Sequence, residues 1–167
     1  MTEAALLLIF PSLMAFAASS DLLTMTISNR VSLLLVAGFC ALAIVVGMDV
    51  REIGYHFLAG ALVLVVSFGF YARGWIGGGD AKLAAATALW FGFEWLLPYL
   101  LWASLFGGAL TLAILEFRKY PLPAALNGQT WVDRLHQKDA GVPYGIALAA
   151  SALLIYPYTV WMTTLGL

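Results

Sequence analysis

Charge is what this sequence has least of. Asp, Glu, Lys and Arg make up 10% of its 167 residues, whereas 63% are hydrophobic. A soluble domain carries about 25% charged and about 45–50% apolar residues. The shortage excludes an ordinary soluble domain and places the chain in the membrane class, with length for one compact helical bundle, a single domain over residues 1–167. A net charge of −1 leaves no basic footprint for nucleic acid. Cysteine is nearly absent: Cys40 stands alone in an apolar run, which excludes a disulfide framework and a cysteine metal site. No HExxH is present, so a zinc protease is unsupported, and neither metal nor cofactor is expected. Internal repeats and low-complexity tracts are missing as well. The N-terminus lacks a basic n-region, and its first apolar run leads into Asp21 instead of a small-residue cleavage site, so it reads as a retained helix.

What is plentiful is apolar sequence in long runs. A spanning helix needs roughly 20 such residues, within a range of about 17–25. Six runs are candidates: Ala4–Ser20, Val31–Met48, Ile53–Ala72, Gly79–Phe93, Trp95–Leu115 and Val142–Leu165. Unbroken runs without alternation favour helices over a barrel. The fourth run is short, and Glu94 with nearby Pro98 separates it from the fifth. Because Lys and Arg concentrate in cytoplasmic loops, the charges test the count. With six helices, Arg30, Arg73, Lys82, Arg118, Lys119, Arg134 and Lys138 share one side, seven of the eight basic residues, and only Arg51 faces the other. The expectation is therefore an all-α integral-membrane bundle of six transmembrane helices, with both termini outside the cytoplasm. The one substantial loop, about 117–141, lies on the cytoplasmic side. Pro121 and Pro123 end the preceding helix, and the spacing of Trp131, Val132 and Leu135 predicts a short interfacial helix. Trp75, Trp95 and Trp131 fall at expected membrane interfaces.

On this topology Asp21 ends the first helix and Asp80 opens the fourth, both at the cytoplasmic edge. At about 1.5 Å per residue the fourth helix reaches only about 22 Å against a hydrocarbon core of about 30 Å, so both carboxylates are expected slightly below the membrane surface. Ionisable groups at that depth usually mark function. Two neighbouring carboxylates in a poorly solvated site cannot both ionise easily, so the pair shares one proton. The ionised member then takes a proton from water while the protonated one polarises a peptide carbonyl, the chemistry of an aspartic protease dyad. The run Gly77-Gly78-Gly79-Asp80 adds backbone that can adopt conformations closed to other residues and lets another chain approach closely. The structural alternative is a flexible hinge with Asp80 as a helix cap.

Other polar residues divide less sharply. Lys82 points away from Asp80 on a helix; it meets a substrate carboxylate or lipid phosphate, or simply snorkels. Glu116 pairs with Arg118, Lys119 or a substrate charge, structural pairing being the expectation. His56, near the outer end of the third helix, reads as a packing or headgroup residue, and Asp49 and Glu52 read as solvated. Pro143 and Tyr144 begin the last helix, where proline suits the first turn, or they line a substrate cleft.

These residues resemble the type IV prepilin peptidases, membrane proteases of the GxGD class. Gly77-Gly78-Gly79-Asp80-Ala81-Lys82-Leu83 is similar to the family's GxGD followed by x-Lys-Leu. The stretch Asp21-Leu22-Leu23-Thr24-Met25-Thr26-Ile27-Ser28-Asn29-Arg30 resembles its first motif, an aspartate followed by a basic or polar stretch and Ile-Pro-Asn. Ser28 replaces the proline, and Thr24 and Thr26 stand where basic residues are common. Gly141-Val142-Pro143-Tyr144-Gly145 resembles a segment opening the last helix of short members. The resemblance implies catalysis by Asp21 and Asp80, with Gly77, Gly79 and Lys82 as motif residues toward the substrate. It implies removal of short basic leaders from prepilins or pseudopilins at the cytoplasmic face of a bacterial inner membrane, beside the pilus assembly machinery and lipid. Larger relatives carry a cysteine-rich cytoplasmic region linked to N-methylation. Its absence here resembles the peptidase-only branch of Flp-type tight-adherence pili. The rival expectations are a small ion- or proton-coupled transporter, whose carboxylates would sit near mid-membrane, and a non-catalytic subunit of a secretion machine.

Overall fold

The structure, a computed structural model, describes residues 2–123, 126 and 128–163. The described residues contain no strand. Four long helices, α1 (Thr2–Thr24), α2 (Asn29–Val45), α3 (Val50–Ala72) and α4 (Gly78–Phe117), are followed by α5 (Thr130–His136), α6 (Gly145–Ile155), a 3₁₀ turn (Tyr156–Tyr158) and α7 (Val160–Thr163). Among the described residues, three helices are long and apolar enough to cross a membrane: Ala5–Thr24, Val50–Ala72 and Gly78–Phe117. Asn29–Val45 and Gly145–Tyr158 are shorter apolar helices. The outward faces carry large apolar side chains such as Leu33, Ile44, Val65, Phe68 and Leu112, which suits hydrocarbon rather than water.

The fourth and fifth expected spans are two helical halves of α4 that meet at a break, which lies not at Glu94 but at Gly92. Gly92 has φ 59 and ψ −169, a region open essentially only to glycine. Its missing side chain also makes room for His56, whose imidazole would lie 3.0–3.3 Å from a Cβ there. Glu94 and Pro98 continue the helix beyond the break. Residues 81 and 83–92 of the first half are buried, so this segment is the central post of the bundle. α2, α3 and α6 pack on α4, and α1 packs against α2 and α6. At the end away from Asp80, Phe10, Phe39, Trp90, Tyr156 and Trp161 form an aromatic cluster. Its polar tips are satisfied: Trp90 donates to the Leu35 carbonyl, Trp161 to Trp90 and Tyr156 to Leu6. His56 bonds the Leu89 carbonyl at 2.7 Å, so it is a packing residue.

Other ends moved for local reasons. α1 runs past Ser20 to Thr24, because nothing between Asp21 and Thr24 breaks a helix. Ser28 accepts from the Arg30 amide and caps α2, a use for serine where the family pattern has proline. Asp49, read as solvated, accepts from the Arg51 amide at 2.8 Å and caps α3. α6 starts at Gly145, so Pro143 precedes the helix instead of opening it. The same span stops at Ile155 because Pro157 cannot donate to the helical ladder; the expected tail, residues 164–165, lies outside the described residues. The short helix around Trp131 forms as α5, but Val132 and Leu135 are buried against the protein, not left for an interface. Arg118 organises this loop: its guanidinium donates to the carbonyls of Leu135, Ala140 and Gly141 at 2.7–2.9 Å.

Candidate active site

Asp21 arrives at the site by helical periodicity. Leu6, Phe10, Met14, Ala17 and Asp21 recur every three or four residues along α1, and all are buried. The carboxylate therefore stands on the core-facing stripe, 5% exposed. It lies in the last turn of α1, one turn inside the end rather than at it. Its Oδ2 accepts from the Gly145 amide, the first of α6, at 2.7 Å. Met25 ends α1 with φ 55, the one left-handed non-glycine residue among those described. Such a conformation costs about 1–2 kcal/mol and turns the chain back toward Asp80. Hydroxyl groups brace that turn: Ser20 donates to the Thr26 carbonyl and Thr24 to the Ser20 carbonyl.

Asp80 lies in the first turn of α4, and the cap is Gly77 rather than the aspartate. Its carboxylate bonds back to the Gly77 amide, as an acidic residue three positions into a helix does in a capping box. Both aspartates thus face the amide end of a helix, where the backbone favours negative charge. The glycine run does not act through unusual dihedrals. None of Gly77, Gly78 and Gly79 has positive φ, and Gly77 is extended at φ −71, ψ 146. What the run supplies is space. A Cβ on Gly77 would lie 2.9 Å from Asp80 Oδ2, one on Gly78 would lie 3.2 Å from the Tyr71 ring, and one on Gly79 would lie 3.1 Å from the Ile27 Cβ. The chain that approaches Gly79 is the protein's own α1–α2 linker.

The result is one pocket of about 250 Å³, lined by Asp21, Met25, Thr26, Ile27 and the run Gly77 to Asp80. The two carboxylates, 59 positions apart in the chain, lie within electrostatic reach of one another. Among the described residues neither forms an ion pair, and no cluster fit to hold a metal ion occurs. Two neighbouring carboxylates, one buried and one half-buried and neither with a cationic partner, can share a proton and can polarise a carbonyl while activating water.

Lys82 is not brought into this pocket. Its ammonium donates to Asn29 at 2.8 Å, at the edge of a separate groove of about 500 Å³ between α2, α3 and α4. Glu116 pairs with Lys119 at 2.6 Å, as structural pairing required. Tyr144 lines a third, mostly apolar groove of about 340 Å³ that also reaches Asp80. Met25 and the Gly145 amide were not legible as site groups: a methionine carries no marker, and the Gly145 bond joins residues 124 positions apart.

Comparison with known proteins gives one finding. No curated protein and no solved structure matches the chain. A family model described as the type IV leader peptidase family matches residues 8–112, which include Asp21, the glycine run and Asp80. The chain belongs to the type IV leader peptidase family, whose members are prepilin peptidases.

Proposed function

We propose that this peptidase is an aspartic endopeptidase of the GxGD type, with Asp21 and Asp80 as its catalytic dyad. The observation that carries the reading is the shared pocket, which draws two carboxylates from distant helices to one point. In the proposed reaction one aspartic acid is protonated and donates a hydrogen bond to the scissile carbonyl. The other, ionised, takes a proton from a water molecule whose oxygen attacks the carbonyl carbon. Collapse of the tetrahedral intermediate breaks the C–N bond, and the departing amine takes a proton from the dyad. Acid and base are not assigned separately, because such a pair titrates as a unit. Gly77 and Gly79 keep the turn beside Asp80 free of side chains.

The substrate on this reading is a prepilin or pseudopilin, cut between a short basic leader and an apolar segment. The apolar groove between α3 and the 93–117 half of α4 supports it. It runs past Leu62, Val66, Leu96 and Leu100 to Asp80, a path that an apolar chain could follow from lipid to the carboxylates. With the break at Gly92 dividing α4, six spans place seven of the eight basic residues on the side of both aspartates, which supports a cytoplasm-facing site in the inner membrane. Cleavage without methylation, for Flp-type pili, completes the proposal. The test is incubation of purified protein in detergent with a prepilin, read by mass spectrometry. Loss of the leader without a methyl group added from S-adenosylmethionine is expected; an intact substrate would overturn the function, and a methylated product the branch.

A further inference from the structure

The family match stops at residue 112, yet one ligand of Asp21 comes from beyond it. We infer that Gly145 is a positioning residue for catalysis: its backbone amide and its lack of a side chain together hold the Asp21 carboxylate in its working orientation. This rests on the dyad reading above and adds a third chain segment to it.

Two independent features of the structure meet at this residue. The Gly145 amide is at the start of α6, where the first amides have no helical partner, and it donates to Asp21 Oδ2 at 2.7 Å. A Cβ at Gly145 would lie 2.8 Å from that same oxygen, 3.1 Å from the Asp21 Cβ and 2.8 Å from the Ile27 Cδ1. Real Cβ atoms essentially never approach so closely, so any side chain here displaces the carboxylate or the linker beside it. Gly145 is itself buried.

The segment leading into Gly145 is anchored from outside the pocket. Arg118 holds the carbonyls of Ala140 and Gly141 at 2.9 Å each. The Tyr144 ring occupies the notch left by Gly107, where a Cβ would overlap it. These contacts tie the start of α6 to the far half of α4, so the amide is presented to Asp21 from a fixed frame. A hydrogen bond donated by fixed backbone selects one orientation of the carboxylate before substrate arrives, and a misplacement of about 1 Å can cost about 100-fold in rate.

The test is steady-state cleavage of a prepilin by Gly145→Ala, with thermal unfolding recorded on the same preparations. Gly108→Ala, whose Cβ would meet nothing within 4 Å, serves as the matched control. Gly145→Ala is expected to lower kcat by about 10- to 100-fold with KM within about twofold, while Gly108→Ala retains wild-type values. Ile27→Val removes the other atom in the way. If Ile27→Val/Gly145→Ala recovers the kcat of Ile27→Val, the loss came from Ile27 and the inference is wrong; persistence of the loss supports it. Should Gly145→Ala not fold, replacing the 144–145 amide with an ester removes the donor without adding bulk, and unchanged kcat there overturns the inference. Failure of the wild type to cut any prepilin would instead defeat the function itself, so the two failures are distinct.

Discussion

Replacing Gly92 with alanine should destabilise the protein more than the same replacement at Gly108, a helical glycine of α4 with open space around it. The magnitude follows from two terms. At φ 59 and ψ −169 a non-glycine residue is strained by about 1–3 kcal/mol. The new Cβ would also lie 3.0 Å from the His56 Cε1 and 3.1 Å from its Nε2, and this imidazole is buried and bonded to the Leu89 carbonyl at 2.7 Å. Displacing it weakens a bond worth about 0.5–1.5 kcal/mol. Together these give about 3 kcal/mol. At roughly 2–4 °C per kcal/mol for a chain of this size, Tm falls by about 6–12 °C. The assay is thermal unfolding of detergent-purified protein, compared with Gly108→Ala in the same helix, which meets no neighbour and removes a glycine from a helical position. Equal Tm values for the two variants would refute the claim that the break at Gly92 depends on glycine.

Other expectations concern the site and its supports. Gly79→Ala puts a methyl group 3.1 Å from the Ile27 Cβ and should cut cleavage about tenfold in folded protein by shifting the linker; wild-type activity would show that the linker yields freely. Lys82→Ala should leave kcat within about twofold and act on KM, since its ammonium bonds Asn29 outside the aspartate pocket. A tenfold fall in kcat would place that charge at the reacting bond. Arg118→Met leaves three carbonyls without their donor and should cost about 2–4 kcal/mol. Limited proteolysis should then cut between residues 119 and 141 where the wild type resists.

Part of the fold and of the site is legible in the sequence. The place of Asp21 near the cytoplasmic end of the first helix was readable, but the inward stripe Leu6, Phe10, Met14, Ala17, Asp21 was not, because that helix is apolar on every face. The glycine run announced a crowded turn, but not its cause: the residues are glycine for space beside Asp80, Tyr71 and Ile27, not for left-handed backbone. Position within α4 was harder. Glu94 and Pro98 are louder helix-breaking signals than a single glycine between Phe91 and Phe93, yet a tertiary partner, His56, decides that Gly92 is where the helix breaks. Contacts between distant segments were not legible at all. Nothing local marks Gly145 as a partner of Asp21 or Arg118 as the clamp on residues 135–141, because each depends on how the bundle closes. Lys82, expected to point away from Asp80, does so, and its ammonium bonds Asn29 outside the aspartate pocket.

The central claim is that Asp21 and Asp80 act as one catalytic unit. Single-turnover cleavage of a prepilin by Asp21→Asn, Asp80→Asn and the double variant tests it most directly, with Tm confirming that each is folded. Each single variant should lose at least about 1,000-fold in rate, and the double variant should be no slower than either, as members of one unit behave. Cleavage near the wild-type rate by either single variant, or losses that multiply in the double variant, would contradict it.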